Sequence, residues 1–163
     1  MPSALAEIKA STNGVPVDPN ARVAPPDTTG DVGPNHYVQW VNLRYSIYTL
    51  TRGANNEITA FNLVPGFPKN GNVVWQGFGG RCQSDNDGDP IVQYDQLADR
   101  WVLTQFAVSG QPFTQCVAVS TSPDPTGTYF RYAFSYDRSF NDYPKMGVWP
   151  DAYYISYNMF RNG

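Results

Sequence analysis

The feature that most constrains this fold is a pattern of short β-type runs that recurs along the chain. Its clearest copy lies at residues 85–106, DNDGDPIVQYDQLADRWVLTQF, where an acidic turn precedes two runs joined by a polar connection. Looser copies occur at residues 31–42, DVGPNHYVQWVN, and at residues 142–158, DYPKMGVWPDAYYISYN. Short runs that alternate apolar and polar side chains are typical of strands with one buried face. The sequence therefore predicts a succession of similar β units.

Composition supports an all-β class for this chain. Its 163 residues include 14 Gly and 14 Pro, and aromatic residues make up 15% of the total. Aromatic side chains favour strands, whereas Gly and Pro mark the turns between them. The best helical candidate, residues 3–9, is too short to form a stable helix. We therefore predict an all-β protein, in which even the short run VVWQ at residues 73–76 is a strand.

The recurring pattern divides the chain into a lead-in and one β domain. We expect residues 1–26 to form an extended lead-in and residues 27–163 to form the domain. Its units are expected at about residues 27–63, 85–136 and 142–163, of which the third is incomplete. The second unit shows four strands in succession joined by short turns, which is the pattern of an antiparallel meander.

Four-stranded antiparallel units that recur every ~40–50 residues are typical of the blades of a β-propeller. A propeller closes with about 4–8 blades, which is more than the units of this sequence provide. We therefore predict β-propeller-like repeats of four-stranded meanders that form an incomplete propeller. The chain is then a fragment of a longer protein, or it assembles with other copies, or its repeats form an open sandwich, and we favour the fragment.

The charge pattern bears on partners and on location. The net charge is −3, and the 11 Lys and Arg residues are scattered, so no basic face is expected and nucleic acid is not a predicted partner. No run of apolar residues is long enough to predict a membrane span. Residues 1–14 lack the basic and apolar regions of a secretory signal peptide.

Cys82 and Cys116 are the two cysteines of the chain. They are either free and buried or joined in one disulfide. A chain that is rich in aromatic residues, Gly and Pro and poor in Lys favours the disulfide, which would close a loop of about 35 residues and stabilise the fold by roughly 3–4 kcal/mol. A disulfide would place the protein outside the reducing cytosol. The CxxC spacing of redox and zinc motifs is absent.

Five motifs carry a resemblance to a known family. They are APPDTTGDVGPNHYVQWVN (24–42), WQGFGGRC (75–82), NDGDPIVQYDQLADRWVLTQF (86–106), QCVAVSTSPDPTGTYFRYAF (115–134) and NDYPKMGVWPDAYYIS (141–156). From about Ala24 onward the chain resembles a family of large, secreted, mostly uncharacterised bacterial proteins with a β-propeller-like N-terminal region. The resemblance implies a propeller and secretion, and it brings no assigned activity. We predict a binding or scaffolding module of a larger secreted protein, with an extracellular or periplasmic location. Members of that family extend well past the point that matches Asn158, which again implies a fragment.

A second likeness concerns glycan-processing enzymes. Residues 89–106 and 142–156 look like the inner strands of five-bladed glycosidase propellers of the arabinanase and invertase type, and residues 119–134 look like a sialidase Asp-box hairpin. This likeness implies a glycoside hydrolase as the alternative function. However, the chain contains only Glu7 and Glu57, neither at the start of a unit, whereas arabinanase-type enzymes use a Glu as the general acid. We therefore favour a binding module over an enzyme.

The acidic turn contains a candidate calcium site. Asp85, Asp87 and Asp89 alternate through a glycine, a spacing that lets a tight loop direct several oxygens at one hard cation. The twelfth position counted from Asp85 is Gln96 rather than the bidentate Glu of an EF-hand loop. The alternative is a solvated turn in which the aspartates accept hydrogen bonds from backbone N–H groups.

An acidic residue also precedes the first strand of each unit. These residues are Asp27 or Asp31 in the first unit, Asp89 in the second and Asp142 in the third. In a propeller they would converge at the mouth of the central funnel, where paired carboxylates can perform acid–base chemistry or hold a ligand. We therefore predict Asp89 and Asp142 as candidate catalytic residues.

Candidate ligand-binding residues are Asp31, Trp149 and Tyr153, because aromatic rings can stack on a carbohydrate or on a protein ligand. The alternative for the aromatic residues is a place in the core.

Overall fold

The computed structural model of the protein describes residues 10–16 and 23–161. The predicted lead-in falls partly outside these residues, as does the helical candidate at residues 3–9. The all-β class is confirmed, since 51% of the residues lie in strands and 7% in helices. The strands form two antiparallel sheets built on four-stranded meanders and one two-stranded hairpin.

The first sheet is an antiparallel meander with a short fifth strand. Its strands are β1 (Thr29–Val32), β2 (His36–Val41), β3 (Arg44–Arg52), β4 (Ile58–Leu63) and β5 (Lys69–Asn70). The first four pair in chain order, and β5 pairs with the beginning of β3. Two residues connect β2 to β3, and the first of them, Asn42, adopts the left-handed conformation with φ 43° that such tight hairpins require.

The second sheet is a four-stranded meander. Its strands are β6 (Ile91–Asp95), β7 (Arg100–Ala107), β8 (Thr114–Ser120) and β9 (Tyr129–Ser135), which pair in chain order. The two hairpins predicted in this region are therefore confirmed. The Asp95 carboxylate accepts hydrogen bonds from the N–H groups of Leu97 (2.9 Å) and Ala98 (3.0 Å), so the sequence DQLAD forms a capped turn between β6 and β7.

The third group of strands is a long hairpin. It consists of β10 (Ser139–Trp149) and β11 (Ala152–Arg161), whose pairing register shifts between Asp142 and Lys145. Tyr143 lies at this irregularity and has a φ of 51°. A bulge of this kind bends its strand and redirects the side chains on either side of it.

The connecting segment between the first two sheets is helical, so the strand predicted at residues 73–76 is wrong. A 3-10 helix spans Gly71–Trp75, and the five-residue helix α1 spans Gly80–Ser84. The apolar residues of this short run find no neighbouring strand to pair with. Curling into a 3-10 turn instead buries Val74 and Trp75 in the core.

The main core lies between the first and second sheets. Trp40 and Ile47 of the first sheet meet Trp101 and Leu103 of the second, and all four side chains are inaccessible to solvent. Cys82 in α1 is bonded to Cys116 in β8, with a Cα–Cα distance of 5.6 Å, so the disulfide favoured by the sequence is present. It ties the connecting segment to the second sheet.

The first strands of the three groups, β1, β6 and β10, lie side by side without a backbone ladder between them. Polar side chains link them instead. The Asp31 carboxylate accepts a hydrogen bond from the N–H of Tyr94 (2.8 Å), and the Thr29 hydroxyl accepts one from the N–H of Val92 (3.3 Å). The Gln93 amide donates to the carbonyl oxygen of Met146 (2.9 Å). Across residues 23–161 the sheets do not close into a ring.

Candidate functional site

A cleft of about 370 Å³ opens where the three first strands meet. We call it the aspartate cleft. It is lined by residues of all three strand groups: Asp27, Thr28, Thr29, Asp89, Pro90, Ile91, Gln93, Tyr143, Pro144, Lys145 and Met146.

The three groups contribute corresponding backbone positions to the aspartate cleft. Asp27, Asp89 and Tyr143 all adopt positive φ angles, of 41°, 44° and 51° respectively. Asp tolerates this left-handed conformation better than most residues, whereas Tyr seldom adopts it. Asp89 and Tyr143 are each followed by a proline, and the two residues after each of these three positions also line the cleft. The cleft is therefore built from one local structure used three times.

Two neighbouring carboxylates influence the pKa of Asp89. Burial raises the pKa of Asp89, and the negative charges of Asp27 and Asp142 raise it further. A hydrogen bond from the backbone of Tyr143 and the positive charge of Lys145 act in the opposite direction. The structure therefore brings the carboxylates of Asp27 and Asp142 within electrostatic reach of Asp89. Of the candidate catalytic pair, Asp89 lines the aspartate cleft and Asp142 does not.

Asp31, the alternative to Asp27 in the first unit, is placed differently. Its carboxylate lies between β1 and β6, where it accepts hydrogen bonds from the N–H groups of Val32 and Tyr94, both at 2.8 Å. Burial raises its pKa, and the bond from Val32 partly offsets this effect. Asp31 therefore joins two strands, and it is Asp27 that lines the aspartate cleft.

The other two predicted ligand-binding residues do not join Asp31 in one site. Trp149 ends β10 and is 68% exposed. The Tyr153 hydroxyl donates a hydrogen bond to Asp95 (2.9 Å), and burial together with that bond raises the pKa of Tyr153 to about 12. Tyr153 lines a separate groove, to which neither Asp31 nor Trp149 contributes.

The carboxylates of the predicted calcium site have other partners. Asp85 forms an ion pair with Arg81 (2.9 Å) and accepts a hydrogen bond from the Ser84 hydroxyl. Asp87 accepts hydrogen bonds from the N–H groups of Val108 (2.5 Å) and Ser109 (2.7 Å) and from the Ser109 hydroxyl. Within the described part of the chain, no group of three His, Cys, Asp or Glu side chains is arranged to hold a metal ion. A calcium ion at this turn would compete with these protein partners, and the calcium prediction stays a prediction.

Sequence reasoning missed Tyr143 and Lys145. The Lys145 Nζ lies 3.5 Å from the centroid of the Tyr143 ring, so the two side chains form a cation–π pair at the edge of the cleft. The signal that could have found them is the proline, because Tyr143-Pro144 corresponds to Asp89-Pro90. The sequence analysis compared acidic residues with one another and therefore took Asp142 as the counterpart of Asp89. The corresponding position is Tyr143, one residue later.

The fold and site define an all-β protein with a disulfide and an acidic cleft. Comparisons with family models, with curated proteins and with solved structures find no match for this chain. No helix among residues 10–16 and 23–161 is long and apolar enough to cross a membrane.

Proposed function

We propose that this chain is a binding module of a larger extracellular protein, and that the aspartate cleft binds a carbohydrate. The observation that carries this proposal is the convergence of corresponding positions from three strand groups on one cleft. Propeller-like folds often place ligand sites where their repeats meet. In this proposal the remaining blades come from the same longer chain or from other copies. The disulfide and the resemblance to secreted proteins support the extracellular location.

The chemistry of the cleft favours a neutral, hydroxylated ligand. Carboxylates accept hydrogen bonds from hydroxyl groups, and Asp27 and Asp89 both line the cleft. With Asp142 within electrostatic reach of Asp89 and Lys145 as the basic residue of the lining, the local charge is negative and disfavours anionic ligands. Tyr143 is 56% exposed, and its ring can pack against the C–H face of a sugar.

A glycan array incubated with the oxidised chain tests this proposal. We expect neutral glycans to bind the wild-type chain and to lose at least about tenfold in affinity with Asp89→Asn, because the amide of Asn replaces one of the acceptor oxygens. Asp137→Asn is the matched control, since Asp137 also has a positive φ, of 51°, but is exposed and outside the cleft. Absence of binding to every glycan, or equal binding by Asp89→Asn and the wild type, would refute it.

A glycoside hydrolase is the second candidate, and the pKa of Asp89 is the observation that favours it. A general acid must remain protonated near its working pH, and burial and two neighbouring carboxylates raise the pKa of Asp89. Asp142 would then act as the partner carboxylate, as in the two-carboxylate mechanism of glycosidases. Glu57 is not available for this role, because it lies in the exposed turn after β3, where it accepts a hydrogen bond from the N–H of Asn55.

Hydrolysis of unactivated oligosaccharides distinguishes the two candidates. A hydrolase predicts release of new reducing ends that Asp89→Asn lowers by at least about a hundredfold, because the sugar leaving group needs the proton of the general acid, while Asp137→Asn leaves the release unchanged. A binding module predicts glycan binding without new reducing ends. The same preparations serve both assays, so a loss of activity caused by misfolding would appear in both.

A further inference from the structure

A short segment that precedes β1, residues 13–15, crosses the first sheet on the face that points away from the main core. It contacts Gln39 of β2 and Tyr48 of β3. Their neighbours Trp40 and Ile47 belong to the main core, and side chains alternate between the two faces of a strand, so Gln39 and Tyr48 point the other way. We call residues 13–15 the crossing segment.

The crossing segment is attached to the sheet by a hydrogen bond at each end. The Tyr48 hydroxyl donates to the carbonyl oxygen of Asn13 (3.3 Å), and the N–H of Val15 donates to the Gln39 Oε1 (2.7 Å). The Val15 side chain is buried, whereas Asn13 and Gly14 are exposed. The segment is therefore fixed at both ends and open to solvent between them.

The exposed pair Asn13-Gly14 has a reaction of its own, because Asn is a thermolabile residue and Gly offers no side chain to hinder its backbone nitrogen. That nitrogen attacks the Asn Cγ, so that an N–Cγ bond forms, the Cγ–Nδ2 bond breaks, and ammonia leaves with the proton of the Gly N–H. Water then opens the cyclic succinimide. Opening at Cγ gives Asp, whereas opening at the main-chain carbonyl gives isoaspartate, in which the main chain runs through Cβ and Cγ.

The fold distinguishes this pair from a second one. Asn-Gly occurs at residues 13–14, 70–71 and 162–163, the last of which lies outside the described residues. Gly71 is buried against the Trp40 ring, and its N–H donates a hydrogen bond to the carbonyl oxygen of Leu43 (2.9 Å). Attack by this nitrogen requires the bond to break and the 3-10 helix to open, which costs free energy. The N–H of Gly14 donates to no acceptor among the described residues.

We propose that Asn13 is a site of spontaneous modification, and that its conversion to isoaspartate releases the crossing segment from the first sheet. The two attachments lie on either side of the rearranged bond, since one uses the carbonyl oxygen of Asn13 and the other the N–H of Val15. Isoaspartate lengthens the path between these two groups and adds a negative charge, so both hydrogen bonds no longer form together. Release exposes Val15 and Tyr48, which are buried in the unmodified protein.

This proposal does not rest on the proposed function, because neither Asn13 nor Gly14 lines the aspartate cleft. Its covalent step needs water alone.

Ageing of the oxidised protein in mildly alkaline buffer tests the modification. Peptide mapping with electron-transfer fragmentation identifies isoaspartate at each pair, and a sample unfolded in urea gives the reference rate for each. We expect folding to slow the reaction of Asn70 at least about tenfold and that of Asn13 by less than about threefold, because only Gly71 must first open locally. Absence of isoaspartate at Asn13, or equal slowing of the two residues, would overturn the proposal.

Hydrogen exchange of the Val15 amide tests the release. This amide is hydrogen bonded in the unmodified protein, and we expect it to exchange at least about tenfold faster in the isoaspartate form. Freshly prepared Asn13→Asp is the matched control, since it adds the charge without lengthening the main chain and should exchange as the wild type does. Asn13→Gln, whose longer side chain closes the ring less readily, should keep slow exchange on ageing.

Two results of the exchange experiment would overturn the release of the crossing segment. One is a Val15 amide that stays equally protected in the isoaspartate form. The other is the same loss of protection in fresh Asn13→Asp, which would assign the effect to the charge rather than to the lengthened main chain.

Discussion

At the scale of single residues, polar side chains of β1 accept hydrogen bonds from backbone N–H groups of β6, the neighbouring strand of the second sheet. β6 is an edge strand of its sheet, and the N–H groups on its outer side face β1 rather than solvent. Buried N–H groups without a partner are costly, and here Asp31 and Thr29 supply the acceptors. The same side chains block strand addition between β1 and β6, so these sheets stay separate.

We predict that Asp31→Ala lowers the free energy of unfolding by about 1–3 kcal/mol, because the buried N–H of Tyr94 loses its acceptor. Urea denaturation of the oxidised proteins measures this difference. Asp151→Ala serves as the control, since Asp151 is exposed and, among the described residues, accepts a hydrogen bond only from the exposed Tyr154 hydroxyl. Equal destabilisation by the two substitutions would contradict the role assigned to Asp31.

Asp95 gives the stability of the protein a defined dependence on pH. Burial acts to raise the pKa of this carboxyl, but hydrogen bonds from Ala98, Tyr153 and Leu97 outweigh it and hold the pKa below its ordinary value. A carboxyl with a lowered pKa in the folded state contributes stability at pH values above its unfolded pKa of about 3.9. It loses that contribution as the pH falls through the folded pKa.

We therefore predict that Asp95→Asn destabilises the protein at pH 7 and that the difference from the wild type shrinks below about pH 4. Urea midpoints at pH 7 and at about pH 3 measure it. Asp137→Asn, which changes an exposed carboxyl, should show no such convergence. A difference between Asp95→Asn and the wild type that is the same at both pH values would show that the carboxyl contributes through packing alone.

At the scale of elements, the connecting segment is held against the core at two points. Gly71, the first residue of the 3-10 helix, lies directly against the buried ring of Trp40. The indole N–H of Trp40 donates to the carbonyl oxygen of Asn42 (2.7 Å), which fixes the ring in place. Farther along the segment, the bond from Cys82 to Cys116 attaches α1 to β8.

We predict that Gly71→Ala destabilises the protein by about 1–3 kcal/mol, because a Cβ at this position would overlap the Trp40 ring and lie 2.6 Å from the Gln105 Oε1. Thermal unfolding measures the effect. Gly147→Ala is the control, since a Cβ there meets nothing within 4 Å. If Gly71→Ala unfolds at the same temperature as Gly147→Ala, the 3-10 helix can move away from Trp40 at little cost in free energy.

Removal of the disulfide by the double substitution Cys82→Ala and Cys116→Ala is predicted to cost about 3–4 kcal/mol. The bond closes a loop with a sequence separation of 34 and restricts the unfolded chain accordingly. Urea denaturation compares the double variant with the oxidised wild type, and dithiothreitol should lower the stability of the wild type alone. If the double variant and the oxidised wild type are equally stable, packing rather than the disulfide holds α1 against β8.

At the scale of the whole molecule, the contacts of the acidic turn predict how calcium affects stability. Asp85 and Asp87 already have protein partners, with which a bound ion would compete. We predict that thermal melts of the oxidised protein in excess Ca²⁺ and in EDTA coincide. A site saturated a hundredfold above its Kd would instead raise the free energy of unfolding by about 2.7 kcal/mol, and a fall of the midpoint in EDTA would restore the calcium hypothesis.

The sequence predicted local structure well where a few neighbouring residues decide it. Alternating runs joined by short turns predicted the all-β class and the four-stranded meander of the second sheet, which the structure contains. The run VVWQ shows the limit of this reasoning. It has the residue types of a strand, but a strand needs a neighbour to pair with, and the path of the connecting segment provides none for it.

The candidate site shows the same division between sequence and tertiary structure. Residue types and spacing alone indicated that aspartates precede the first strands, because such turns are encoded locally. Which carboxylates face the cleft depended on how the strand groups pack. Tertiary contacts turned Asp31 toward Tyr94 and Asp87 toward Val108, and they placed Asp89 within electrostatic reach of Asp142. The direction of a side chain is fixed by the partners that reach it from distant segments, and those partners are defined only once the chain is folded.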